Sequence, residues 1–130
     1  MRRAFGRASC LILLVLVGCH KLNYEKSESL SPGETKTYTV EAPKGDQKVR
    51  VVARSSEGPV SVYLVLQHEA QAVEAAITGG HTPPKDKVLA GAEKQNEVTL
   101  DATVPAKNEF TVIVGGASKK TTITVKVTEM

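Results

Sequence analysis

The chain has 130 residues, 17 basic and 14 acidic side chains, two cysteines and no tryptophan, which is enough for one domain with one core and too little for two comfortable ones. The positive excess is confined to Arg2, Arg3 and Arg7; without them the remaining 14 basic side chains balance the 14 acidic ones. That balance removes the electrostatic case for a nucleic-acid partner.

Those three arginines open the chain with no acid among them, and the apolar stretch ASCLILLVLV follows. A basic start and a short apolar run form the layout of a secretory signal peptide, and the run is far below the roughly 20 residues that a bilayer-spanning helix needs. It ends in Leu16-Val17-Gly18-Cys19, a tetrapeptide that closely resembles the lipobox of bacterial lipoproteins. The resemblance implies cleavage between Gly18 and Cys19 and a diacylglyceryl group on the Cys19 sulfur. An added acyl chain on the new amino terminus would make the attachment stable, since each buried methylene contributes ~0.8 kcal/mol. Arg2-Arg3-Ala4-Phe5 partly resembles a twin-arginine signal, but Gly6 interrupts the apolar position expected there, which favours the general secretory route. His20 differs from the Asp that resembles an inner-membrane retention signal, so the expected site in a diderm cell is the outer membrane or the periplasmic face of the envelope. Cys10 would leave with the signal, and the folded part would then hold together without disulfides or thiolate metal sites.

The expected organisation is a signal over residues 1–18, a lipidated cysteine and polar tether over 19–30 that leads into a first edge strand near 27–30, and a folded domain over 31–130. Ser31-Pro32-Gly33-Glu34 is a turn, with Pro32 fixing one backbone angle and Gly33 free to take a positive φ. Alternating apolar positions then recur between turn residues. Successive strand side chains face opposite sides, which points Tyr38 and Val40 inward, then Val49, Val51 and Ala53, then Val60, Val62, Leu64 and Leu66. Later strands add Val98, Leu100, Ala102 and Val104, then Phe110, Val112 and Val114, and finally Ile123, Val125 and Val127. Six strands with one apolar face each require a second sheet to cover them. The fold class is therefore all-β, an antiparallel β-sandwich of about seven to eight strands. One helix is inserted over 69–78, where Ala70, Val73 and Ile77 recur at helical spacing and Gly79 can cap the end. Pro83-Pro84 excludes regular pairing, a brief strand over 88–90 rejoins a sheet edge, and Gly115-Gly116 reads as part of a hairpin turn.

Taken together, Leu30, Gly33, Tyr38, Val40, Val49, Val51, Val62 and Leu64 follow a pattern that resembles the start of the bacterial pre-peptidase C-terminal type of β-sandwich. The inserted helix is additional to that pattern. The resemblance implies an accessory module for substrate or surface contact beside secreted enzymes, although no enzyme domain accompanies it in this sequence.

The sequence shows no recognisable catalytic constellation. His20, His68 and His81 lack zinc-site spacing, and no Gly-x-Ser-x-Gly elbow accompanies Ser55, Ser56 or Ser118, which fit hairpin loops. Gly79-Gly80 lacks the ending of a phosphate loop. Glu69 and Glu74 diverge on the expected helix, while Asp46, Asp86 and Asp101 are isolated. No metal or cofactor is implied. Alternation does place Tyr63, Val65 and Ile113 on outward faces of two strands, and contiguous exposed apolar area marks a contact surface. Either the helix covers them, with coverage favoured because it follows directly from the Tyr63 strand, or they form an open contact patch. The leading expectation is a non-enzymatic, lipid-anchored envelope sandwich held to the membrane through Cys19, with another envelope protein or polymer as partner. Its alternatives are a purely structural envelope lipoprotein and a hydrolase with an unrecognised site.

Overall fold

Side-chain burial alternates along the strands as their sequence demands, and two sheets close over the shared apolar face. The structure, a computed structural model, describes residues 22–130. In chain order its elements are β1 (Asn23–Leu30), β2 (Lys36–Val40), β3 (Gln47–Ser55), β4 (Val60–Leu66), α1 (Gln67–Thr78), a 3-10 turn (Lys85–Lys87), β5 (Ala90–Gln95), β6 (Glu97–Val104), β7 (Phe110–Gly115) and β8 (Thr121–Glu129). One sheet has the order β1-β8-β3-β6 and the other β2-β7-β4-β5, and every pairing is antiparallel. This strand order is that of an eight-stranded jelly roll, which confirms the sandwich.

The inter-sheet core contains Leu30, Tyr38, Val49, Val51, Val62, Leu64, Leu100, Phe110, Val112 and Val125, with smaller residues filling between them. Every strand predicted to have an inward apolar face contributes to it. At one side of the sandwich Tyr38 reaches from β2 to β1, where its hydroxyl donates to Glu28 at 2.6 Å. Burial, reinforced by that carboxylate, pushes the Tyr38 phenol well above its usual range. At the other side the chain passes from β5 to β6 through Asn96 alone, whose carbonyl accepts from the Ser55 N–H at 2.8 Å.

Three local expectations need correction. The first strand begins at Asn23, so most of the segment read as a tether is already a sheet edge; its charged residues, Glu25, Lys26 and Glu28, suit an edge that must discourage further pairing. The strand expected over 88–90 runs instead from Ala90 to Gln95, and its largely polar sequence hides it because an exposed edge strand needs no apolar face. Gly115 and Gly116 do not make a hairpin, nor do Ser55 at the end of β3 and the loops holding Ser56 and Ser118. β3 and β4 lie in different sheets, as do β7 and β8. Glycine and serine mark where a chain turns, whereas the sheet it turns into depends on distant partners. Among the described residues the only consecutive strands in one sheet are β4 and β5, and α1 lies between them.

Helix α1 ends in a Schellman arrangement: the His81 N–H donates to the Ala76 carbonyl and the Gly80 N–H to that of Ile77. Gly79 is the C-cap at φ −80°, and the left-handed residue is Gly80 at φ +78°.

Candidate functional site

Gly18, Cys19 and the residues read as a signal lie outside the described residues. Among the described residues no helix is long and apolar enough to cross a membrane.

Tyr63, Val65 and Ile113 do project from the outer face of the β4/β7 pair, but α1 lies over them. Their relative exposures are 5%, 0% and 0%, and they pack with Ala70 and Val73 in a second apolar cluster flanked by Ile77 and Val88. The open-patch alternative is thereby corrected: the helix needs its apolar stripe buried, and these residues are what it buries against. Thr111, on the same face, is also buried and donates to Gln67 at the start of the helix. Close approach is set by Gly115, where an added Cβ would lie 2.8 Å from Ile77 Cγ2.

Beyond the far end of the helix the chain leaves a cleft of about 360 Å3, lined in part by Ser61, Tyr63, His81, Thr82, Glu93 and Lys94. β4 supplies Ser61 and Tyr63, the segment after α1 supplies His81 and Thr82, and β5 supplies Glu93 and Lys94. A β-bulge shapes its floor. Val60 pairs with Gln95 and Val62 with Ala92, leaving an extra residue in β5, and Lys94 takes φ +54° there. The Lys94 N–H donates to Ser61 Oγ at 3.3 Å.

Tyr63 joins the helix-covered cluster to this cleft. Its ring is buried under α1, while its hydroxyl emerges to donate to Glu93 Oε2 at 2.5 Å. Burial, followed by the hydrogen bond to Glu93, pushes the Tyr63 phenol well above its usual range. The same bond, with a second from Thr82, holds Glu93 below its ordinary value of 4.5. These directions oppose general acid-base chemistry at neutral pH, which needs a carboxyl raised or a phenol lowered toward 7. The Tyr63 hydroxyl holds the Glu93 carboxylate in place at the cleft.

Among the described residues the other candidate groups are hydrogen-bonded within the fold or stand exposed. Ser55 donates to the Gly58 carbonyl and meets Thr121 Oγ1 at 2.7 Å, which commits its hydroxyl to the loop. His68 is exposed at the start of α1 and His81 is exposed after its end. Among the described residues no group of three His, Cys, Asp or Glu side chains is placed to hold a metal ion.

Two predictions arise here. Opposite Tyr63 in β5 stands Gly91, where an added Cβ would lie 2.5 Å from Tyr63 Cδ1. Because the helix fixes the ring, Gly91→Ala is expected to cost ~1–3 kcal/mol by overpacking. Gly45→Ala, where the space is open, should leave the thermal midpoint nearly unchanged; equal midpoints for the two variants would contradict the wedge. The second concerns pH. Glu93 has a folded pKa below its unfolded value, so the stability it contributes is present above about pH 4.5 and is lost as pH falls through the folded value. Urea titrations from about pH 6 down to about pH 3 should show a steeper decline for the wild type than for Glu93→Gln. Parallel declines would remove Glu93 from the linkage.

No protein-family model matches the chain, and no curated protein matches its sequence. Solved structures do share its fold. The pre-peptidase C-terminal domain of a collagenase from Bacillus anthracis has a TM-score of 0.58 at 12% identity, with 82% of this chain and 89% of that one covered. PliG of Aeromonas hydrophila, a periplasmic inhibitor of g-type lysozyme, has a TM-score of 0.55 at 12% identity, with 89% and 93% covered. The mitogen of Yersinia pseudotuberculosis has a TM-score of 0.57 at 6% identity, with 84% and 86% covered. The resemblance read from the strand pattern is thus matched at the level of the β-sandwich.

Proposed function

We propose that this chain is a lipid-anchored β-sandwich of the bacterial envelope that acts by contact with another envelope protein or polymer, without catalysis. The observation that carries the anchor is Leu16-Val17-Gly18-Cys19 at the end of a short apolar run behind three arginines. A contact role is supported by the cleft, whose lining includes the Glu93 carboxylate held by the Tyr63 hydroxyl at 2.5 Å. That one fold neighbour is a periplasmic inhibitor of a lysozyme supports a protein as the partner, by analogy of fold alone.

The anchor is tested by Cys19→Ser in cells fed labelled palmitate. The variant is expected to lose the label and leave the membrane fraction, with its far-ultraviolet circular dichroism unchanged. Unaltered partition into detergent would sink the proposal. The contact is tested by in-cell cross-linking of wild type and Glu93→Lys. A specific cross-linked product that disappears in the variant is expected; the same products from both would remove the cleft from the interface.

A further inference from the structure

We infer that the end of the sandwich bearing Leu22 and the loops 41–46 and 105–109 rests on the lipid headgroups, with the opposite end and its cleft held outward. The inference rests on the proposed lipid at Cys19 and goes beyond it by fixing which face meets the bilayer. It starts from where the fold begins. Leu22 is held to the last strand by two hydrogen bonds: its N–H donates to Glu129 Oε1 at 3.4 Å, and its carbonyl accepts from the Glu129 N–H at 3.3 Å. Only His20 and Lys21 therefore separate the lipidated residue from the anchored edge of a sheet. Three Cα steps of 3.80 Å place the Cα of Leu22 within about 11 Å of that of Cys19. The headgroup layer on one side of a bilayer is itself about 5–8 Å thick. The sandwich has no room to tumble at the end of a tether.

The topology then decides which surface is brought down. β1 starts beside the end of β8, the start of β3 and the end of β6, because Asn23 pairs with Thr128, Val49 with Glu129 and Gln47 with Val104. The loops 41–46 and 105–109 leave the same end, and they are joined to each other. The Ala106 N–H donates to Asp46 Oδ1 at 2.8 Å, and the Lys107 N–H donates to the Pro43 carbonyl at 2.8 Å. Together with Leu22 they make the floor of this end of the sandwich. Its exposed charges, among them Lys44, Asp46, Lys48 and Lys107, are of both signs, so the short tether and not a basic patch sets the orientation. The cleft opens at the other end, where α1 finishes and β7 leaves its sheet. At ~3.3 Å per residue the seven residues of β4 separate the two ends by about 20 Å.

The test uses the full chain, processed and acylated in a bacterial host and reconstituted into phosphatidylethanolamine/phosphatidylglycerol vesicles that contain a headgroup-attached quencher. Acylation consumes the Cys19 sulfur, so a single introduced cysteine takes the fluorophore. Gly45→Cys reports from the floor, where a side chain meets open space, and Ser118→Cys from the exposed loop at the far end. The expected result is loss of most of the Gly45-site emission with the Ser118-site emission retained. Equal quenching at both sites, or stronger quenching at the Ser118 site, overturns the orientation while leaving the anchor intact. If the acylated protein fails to bind vesicles, or the Cys19→Ser form binds them equally well, the anchoring reading fails and takes the orientation with it.

Discussion

Replacing Tyr63 and Ile113 together by serine is expected to lower stability by ~4 kcal/mol or more, a large part of the roughly 5–15 kcal/mol that holds a domain of this size. Ile113 is fully buried and Tyr63 nearly so. Each truncation removes apolar contact with α1 and leaves a cavity, and the tyrosine change also leaves Glu93 without its phenol donor. The two side chains lie side by side, Tyr63 pairing with Ile113 across β4 and β7, so the double change should depart from the sum of the singles. The measurement is the urea midpoint of each variant, with hydrogen exchange of the α1 amides read in parallel. If the helix packs as described, those amides lose protection before the sandwich strands do. A double variant within about 0.5 kcal/mol of wild type, as for an ordinary surface change, would show that the helix does not seal this face.

Leu64→Ala is the corresponding test of the inter-sheet core, with an expected cost of ~2–5 kcal/mol. Leu64 is fully buried between the sheets on β4, next to Val112 of β7 and Ala90 of β5. With a strand on each side of β4, the backbone has little freedom to collapse into the space. Thr99→Ala, on the exposed face of β6, should shift stability by less than about 0.5 kcal/mol. Thermal midpoints of the two variants separate the cases, because 1 kcal/mol corresponds to about 4–8 °C for a domain of 60–100 residues and somewhat less for larger ones. Similar midpoints would contradict the assignment of faces.

Inward faces are legible in this sequence because a half-buried strand must alternate. Val49, Val51 and Ala53, or Ile123, Val125 and Val127, announce their core side by period alone. β4 and β7 are legible in a different way. VSVYLVL and FTVIVG break the alternation with apolar residues on both faces, which is what a strand covered by a second layer requires. That break points to Tyr63, Val65 and Ile113, and the adjacent amphipathic segment points to the helix that covers them. Strand order was not legible, since alternation says that a strand has a partner and not which one. β5 was nearly invisible because AGAEKQ lies at an exposed edge. The cleft shares both difficulties: Glu93 meets Tyr63 only because that edge strand pairs with β4, and His81 and Thr82 arrive from beyond the helix. One trace existed in the sequence, the glycine at position 91, whose missing side chain makes room for the Tyr63 ring.

The nesting of the strand pairs has a kinetic consequence. β4 pairs with β5, β3 with β6, β2 with β7 and β1 with β8, so the chain is one long ribbon doubled back at α1 and then wrapped. Closure of each outer pair spans a longer loop than the pair inside it, which makes zippering outward from the tip the least costly route. Contacts between residues as far apart as Asn23 and Thr128 raise the contact order and place refolding in the millisecond-to-second range of all-β domains. A chain that crosses a membrane from its amino terminus cannot complete this sandwich until β8 has emerged. The final zip of β1 against β8 also fixes Leu22, so the step that finishes folding is the one that would draw the domain toward the proposed lipid at Cys19.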